Sequence, residues 1–192
     1  MKKCAVAAIF TLMTLLSACG ENAVDAAEKA VSFYSSLSEY SATARVSMNH
    51  GEYITEYVIK HQYSENEHSL TVVEPLSLSG LTMTFDGENA ELRFKDVIFL
   101  PPSLDGTKAT PMKLLPDILD SLINGVYEAA YLLDKDGVGC LSFGMWSHVD
   151  GEEFMYRVTL SADSFTPLCA EVFCDGKAVL TAEYTDVQLT IN

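Results

Sequence analysis
Along most of the chain apolar and polar residues alternate one by one, and in two places they recur at three and four instead. Residues 21–38, ENAVDAAEKAVSFYSSLS, place Ala23, Ala26, Ala27, Ala30, Val31 and Tyr34 on one helix face. Asp25 and Glu28 near the start favour the helix dipole. From Tyr40 the period drops to two. Tyr40, Ala42, Ala44, Val46 and Met48 alternate with Ser41, Thr43, Arg45, Ser47 and Asn49, the pattern of a half-buried strand. After a turn at His50-Gly51, Tyr53, Tyr57, Ile59 and Tyr63 share one face of a second strand, with Glu52, Glu56 and Lys60 on the other. A turn near Glu65-Asn66 leads to HSLTVVEP, and then to GLTMTF and AELRF. In the last two, Leu81, Met83 and Phe85 face one way, while Leu92 and Phe94 alternate with Glu91, Arg93 and Lys95.

The stretch TPMKLLPDILDSLING breaks this rhythm. Thr110 is placed to cap a helix and Pro111 to be its first residue. Pro116 predicts a kink or a restart, so one or two short helices are expected. Leu115, Ile118, Leu119 and Leu122 form the apolar stripe, and Asn124-Gly125 is the stop. Strands resume at about 126–133, 138–146, 153–161, 168–174 and 177–191. Phe154, Tyr156, Val158 and Leu160 share a face. In the last strand the apolar positions change from even (Ala178, Leu180, Ala182, Tyr184) to odd (Val187, Leu189, Ile191), which predicts a bulge near Thr185-Asp186.

Asp-Gly recurs at 86–87, 105–106, 136–137, 150–151 and 175–176. This dipeptide accepts the positive φ of tight hairpin turns, and all but 105–106 lie between alternating segments. The fold class that follows is mainly β with helices. About five strands, a helical interruption and about five more strands form one large antiparallel meander. One face of that sheet is apolar and needs a cover. A sheet curved into an unclosed barrel, with an N-terminal helix and a mid-chain helical lid in its concavity, supplies it.

In that order of elements the chain resembles the LolA/LolB-like lipoprotein-carrier fold. The features that carry the resemblance are the helix before YSATARVSM, the stretch EPLSLSGLTMTFDGENAELRF, the mid-chain helix and the hairpin DSFTPLCAEVFCDGKAVLTAEY. It implies a concave cavity that binds lipid, acyl chains or other apolar ligands. The residues expected to line cavity and lid are Tyr53, Tyr57, Leu81, Met83, Phe85, Leu115, Ile118, Leu119, Leu122, Tyr156 and Val158.

The first residues add a location. Met1-Lys2-Lys3 is followed by an apolar run, Ala5 to Leu16, shorter than the ~20 residues of a membrane span. It ends in Leu16-Ser17-Ala18-Cys19, which resembles the bacterial lipobox. Residues 1–18 are then a signal peptide, Cys19 is the lipidated first residue, 19–22 are a tether and 23–192 a single domain. The expected place is the extracytoplasmic face of the cell membrane, or an outer membrane if the cell has one. Without Lys2 and Lys3, ten basic residues face 27 acidic ones, a formal charge of −17. Such a surface repels nucleic acid.

Candidate chemistry is thin. Cys140, Cys169 and Cys174 are an odd number. Cys169 and Cys174 point to opposite faces of one strand, Cys140 could meet either across the sheet, and three small buried thiols are the plainer expectation. His61 and His68 flank one turn and could approach each other, but their spacing is not a metal pattern and surface or strand-end positions are expected. Adjacent Glu152 and Glu153 point apart, and no nucleophile motif or phosphate loop is present. The chain is expected to be no enzyme, to need no cofactor or metal, and to hold an apolar ligand. The alternative is a module that holds an envelope protein partner through its sheet edge.

Overall fold
The computed structural model describes residues 22–86, 89–99, 110–149 and 151–192. Its elements are α1 (Ala23–Ser35), β1 (Leu37–Asn49), β2 (Ile54–Ser64), β3 (Glu67–Glu74), β4 (Thr82–Phe85), β5 (Ala90–Phe94), β6 (Val97–Phe99), α2 (Pro111–Ile123), β7 (Ala129–Lys135), β8 (Val138–Val149), β9 (Glu152–Ser161), β10 (Pro167–Cys174) and β11 (Lys177–Ile191). All strands lie in one antiparallel sheet, in the order β6-β5-β4-β3-β2-β1-β11-β10-β9-β8-β7. The sheet is not closed into a barrel. Two meanders meet where β1 pairs with β11, from Met48 opposite Leu180 to Leu37 opposite Ile191.

The turns form for the reasons their residues allow. Asp136 and Gly137 have φ of 56° and 82°, and Asp175 and Gly176 have 49° and 71°, the paired positive values of a two-residue hairpin turn whose twist matches its strands. Glu65 and Asn66 take the same shape without glycine (φ 52° and 66°), and the Tyr63 hydroxyl donates to Asn66 Oδ1 at 3.1 Å. The anticipated bulge is present. Ser41 faces Gln188 but Thr43 faces Thr185, and Asp186 at φ 52° absorbs the extra residue. That step returns Val187 and Leu189 to the core side.

The structure sharpens three expectations. The described residues hold eleven strands, because Val97–Phe99 forms β6; three residues are too few to display alternation. The lid is one helix that passes through Pro116, whose ring is buried with the apolar stripe. Thr110 caps it without a side-chain hydrogen bond. The three described cysteines are free, with Cys140 buried and Cys169 and Cys174 only half-buried. Cys140 lies on β8 and the other two on β10, and β9 runs between them.

Helix α2 packs on β1 and on β8, which stand four strands apart in the sheet, and α1 lies on β7, β8 and α2. One helix can touch both β1 and β8 only because the sheet curls around it. Small residues permit the close approach: Ala42 and Ala44 of β1 and Ala26, Ala27 and Ala30 of α1 are all buried. Asn22 caps α1 by accepting from the Asp25 amide at 2.8 Å. The Tyr34 hydroxyl donates to the Phe165 carbonyl at 2.8 Å, tying α1 to the β9–β10 turn.

The end of α2 has the Schellman pattern. The Val126 amide donates to the Ser121 carbonyl and the Gly125 amide to the Leu122 carbonyl, both at 3.2 Å, with Gly125 at φ 65°. A Cβ on Gly125 would stand 2.7 Å from Cγ1 of Val31 on α1. Gly125→Ala is therefore expected to lower stability by about 1–2 kcal/mol from backbone conformation, and by more from the clash. Urea denaturation measures it. Adding Val31→Ala should recover only the steric part, so full recovery would show that the positive φ costs nothing.

Candidate functional site
The concave face is continuous apolar surface, and its burial is uneven. One row crosses the sheet through register partners Leu70, Met83, Leu92 and Phe99. Leu70 is 0% exposed, Met83 3%, Leu92 half-buried and Phe99 54%. The cover thus ends between β4 and β6. Tyr57, Leu78, Leu81 and Phe85 beside this row are likewise only partly buried against the core. Lys95 sets its ammonium 5.1 Å from the centre of the Phe94 ring at the same flank.

Among the described residues the face under the helices is packed. Leu115, Ile118, Leu119 and Leu122 of α2, and Tyr156 and Val158 of β9, are buried core. The void between α1, the end of α2 and Phe143 and Met145 of β8 measures about 10 Å³, about the volume one water needs. The predicted ligand residues therefore divide. Leu81 and Phe85 border the half-open flank with Met83 at its foot, Tyr57 is partly buried on β2 opposite Val46, and the lid and β9 residues lie sealed away from the flank. Tyr53 belongs to neither group. It precedes β2, is 62% exposed and stacks on His50 with ring centres 4.7 Å apart. The strand begins at Ile54, two residues later than the alternation from Glu52 suggested, so Tyr53 is a turn residue. Cys19 lies outside the described residues.

Two carboxylates on α2, three residues apart and so on neighbouring positions of one helix face, fasten the lid to opposite sides of the sheet. Asp117 accepts a hydrogen bond from the Tyr156 hydroxyl on β9. Burial first, and the Asp117 charge second, push the Tyr156 phenol well above its ordinary range. Asp120 accepts from His68 Nε2 on β3 at 3.1 Å, and His68 Nδ1 stands 3.0 Å from His61 Nε2 on β2. With Asp120 ionised, the proton order is set. His68 carries its proton on Nε2, leaves Nδ1 as acceptor, and receives from His61 Nε2–H. The rings of Tyr40 and Tyr63 pack on this pair at 5.0 and 4.9 Å between centres. Burial, and secondarily His68, hold the His61 pKa down to about 3, so it stays neutral. Burial and the Asp120 charge raise the Tyr63 phenol.

The two histidines do approach each other, but they are core residues, His61 at 1% and His68 at 3% exposure, not surface or strand-end residues. The signal was in the pattern. His61 has the inward parity of Ile59 and Tyr63, and an inward histidine requires a polar partner. Asp117 and Asp120 were missed because nothing in helix periodicity alone tells a solvated acid from one that reaches a sheet. Among the described residues no group of three or more His, Cys, Asp or Glu is placed to hold a metal ion.

No family model matches the chain, and no curated protein does. Comparison with solved structures finds similar folds. A LolA superfamily protein from Nitrosomonas europaea is 13% identical over 90% of this chain and 96% of its own, with a TM-score of 0.44. An outer membrane lipoprotein-sorting protein domain from Vibrio parahaemolyticus is 8% identical over 88% and 92%, with a TM-score of 0.48. The lipoprotein LppX from Mycobacterium tuberculosis is 11% identical over 88% and 94%, with a TM-score of 0.45. At such identities and scores neither ligand nor activity passes from those proteins to this one.

The histidine pair sets a pH dependence. Unfolded, His61 titrates near 6.5; folded, near 3. Below 6.5 the unfolded chain binds a proton that the folded chain refuses. Stability from this group is thus complete above pH 6.5 and is lost as the pH falls toward 3, by up to about 1.4 kcal/mol per pH unit. Denaturation series between pH 7.5 and about 5, above the range of ordinary carboxylates, should show this slope. His61→Gln, whose amide can still donate to His68, should remove it; an unchanged slope would assign it to another group.

Proposed function
We propose that this chain is a lipid-anchored, extracytoplasmic, non-enzymatic protein that holds an apolar ligand, a lipid or acyl chain, on the β4–β6 flank of its concave face. The observation that supports this reading most is the row Leu70, Met83, Leu92, Phe99, whose burial falls away toward the sheet edge. A core row that runs out from under its cover leaves apolar side chains lined up and half-open, the condition in which covering them is favourable, at roughly 25 cal/mol per Å². Seated there, a chain would lie against Leu81, Phe85 and Leu92 and continue the core sideways. In this reading the ligand sits outside α2, whose apolar underside is packed on the sheet and held by Asp117 and Asp120. The anchor belongs to the same reading: residues 1–18 are removed, Cys19 carries the lipid, and 23–192 act as one domain at the membrane surface.

A fluorescent fatty acid titrated into the purified chain tests the ligand. Leu92→Glu and Phe99→Glu should each weaken binding about tenfold or more, a loss of at least about 1.4 kcal/mol. Tyr53→Ala should bind as wild type does. Equal affinity in all three variants would remove the flank as the site. Intact mass of the chain from membranes, with and without Cys19→Ser, tests the anchor separately.

A further inference from the structure
The geometry points to the free edge of β7 as a docking strand for an extended segment of another protein, apolar in its middle and basic at its ends. This surface is independent of the apolar-ligand reading. It lies at the opposite end of the sheet from β6.

Among the described residues β7 is paired on one side only, with β8, from Ala129 opposite Gly144 to Lys135 opposite Val138. The two-residue turn Asp136-Gly137 makes Lys135 and Val138 a pair that exchanges both backbone hydrogen bonds. By the alternation of an antiparallel ladder, the N–H and C=O groups of Ala130, Leu132 and Asp134 then face away from β8. They form a ready template along the open side. Edges are usually blunted by shortness, proline, lysine or an inward charge. β7 runs for seven residues without proline, and its middle is apolar on both faces. Tyr131 is 62% exposed, Leu132 42% and Leu133 39%. β6 is a poorer template, with only three residues.

Charge chooses the occupant. Glu128 precedes the apolar stretch, Asp134 and Asp136 follow it, and Lys135 is the sole cation from 128 to 136. A strand with arginine or lysine at its ends meets these carboxylates favourably. A second copy does not. The two-fold register that sets Tyr131 opposite Leu133 of the second copy, and Leu132 opposite itself, also sets Asp136 against Glu128 twice. Each chain carries a formal −15 in addition. Main-chain bonds along such an edge supply affinity, and side chains supply selectivity.

The chain reports its own docking. Its one tryptophan, Trp146, lines a hollow of about 220 Å³ together with Glu128, Ala129 and Tyr131 beside this edge. The probe is the acetylated peptide Arg-Thr-Val-Ile-Val-Thr-Arg, added to the full chain in detergent. Trp146 emission should shift saturably, and raising the salt should weaken binding several-fold. A peptide with glutamate in place of both arginines should bind at least tenfold more weakly. In the wild-type chain, hydrogen exchange at Ala130, Leu132 and Asp134 should slow at least tenfold at saturation. Leu132→Pro, which lacks the edge N–H, should lose binding. Three results would overturn the proposal: unchanged exchange at those amides, equal binding of the two peptides, or a wild-type chain that self-associates through Leu132→Cys crosslinks in a background lacking other cysteines. Fatty-acid binding measured on the same samples keeps failure of this edge distinct from failure of the β4–β6 flank.

Discussion
The sheet is a single sheet because β1 pairs with β11. Leu37 and Ile191 stand opposite each other although 154 positions separate them in the chain, and the Asn192 amide closes the seam on the Ser36 carbonyl at 2.9 Å. Without this pairing the molecule would be two separate meanders, each with an apolar face and too little helix to cover it. With it, the curvature of both halves is shared, and one helix, α2, can rest on β1 and β8 together. Closing so long a loop is entropically costly and is repaid only when the distant strand arrives. The small residues at the centre, Ala42 and Ala44, are what that shared curvature demands, since bulkier ones would hold the helix off.

The lid shows how polar groups organise an apolar interior. Its underside is leucine and isoleucine, which fix no orientation. The two carboxylates do. Asp117 reaches β9 and Asp120 reaches β3, so the helix is held at both flanks of the curl and its rotation about its own axis is set. The cost of burying His61 and His68 is offset because each ring nitrogen in the chain of contacts has a counterpart, and the described residues leave no buried side-chain polar atom unpaired.

What was legible in the sequence was local. Alternation from Tyr40 to Met48 located β1, the Asp-Gly pairs at 136–137 and 175–176 located hairpins while 105–106 and parts of 86–87 and 150–151 lie outside the described residues, and the change from even to odd positions after Tyr184 located a bulge that the register confirms. What was not legible depends on which strands meet and how far the sheet curls. His61 and His68 read as strand-end residues because their burial is conferred by α2, some 50 residues later. Tyr53 read as cavity because parity does not say where a strand begins. The cavity list itself mixed sealed core with half-open flank, since periodicity assigns a residue to a face and is silent on how much of that face the helices reach.

The Val31 side chain of α1 packs against Gly125, just past the end of α2, with no room for a Cβ between them. Helix α1 is also the first described element of the chain. A shift of α1 would therefore press on the end of the lid, while Asp117 and Asp120 hold it near its middle. The two helices act as one lever arm over the sheet, and how tightly the lid sits depends on how α1 is seated.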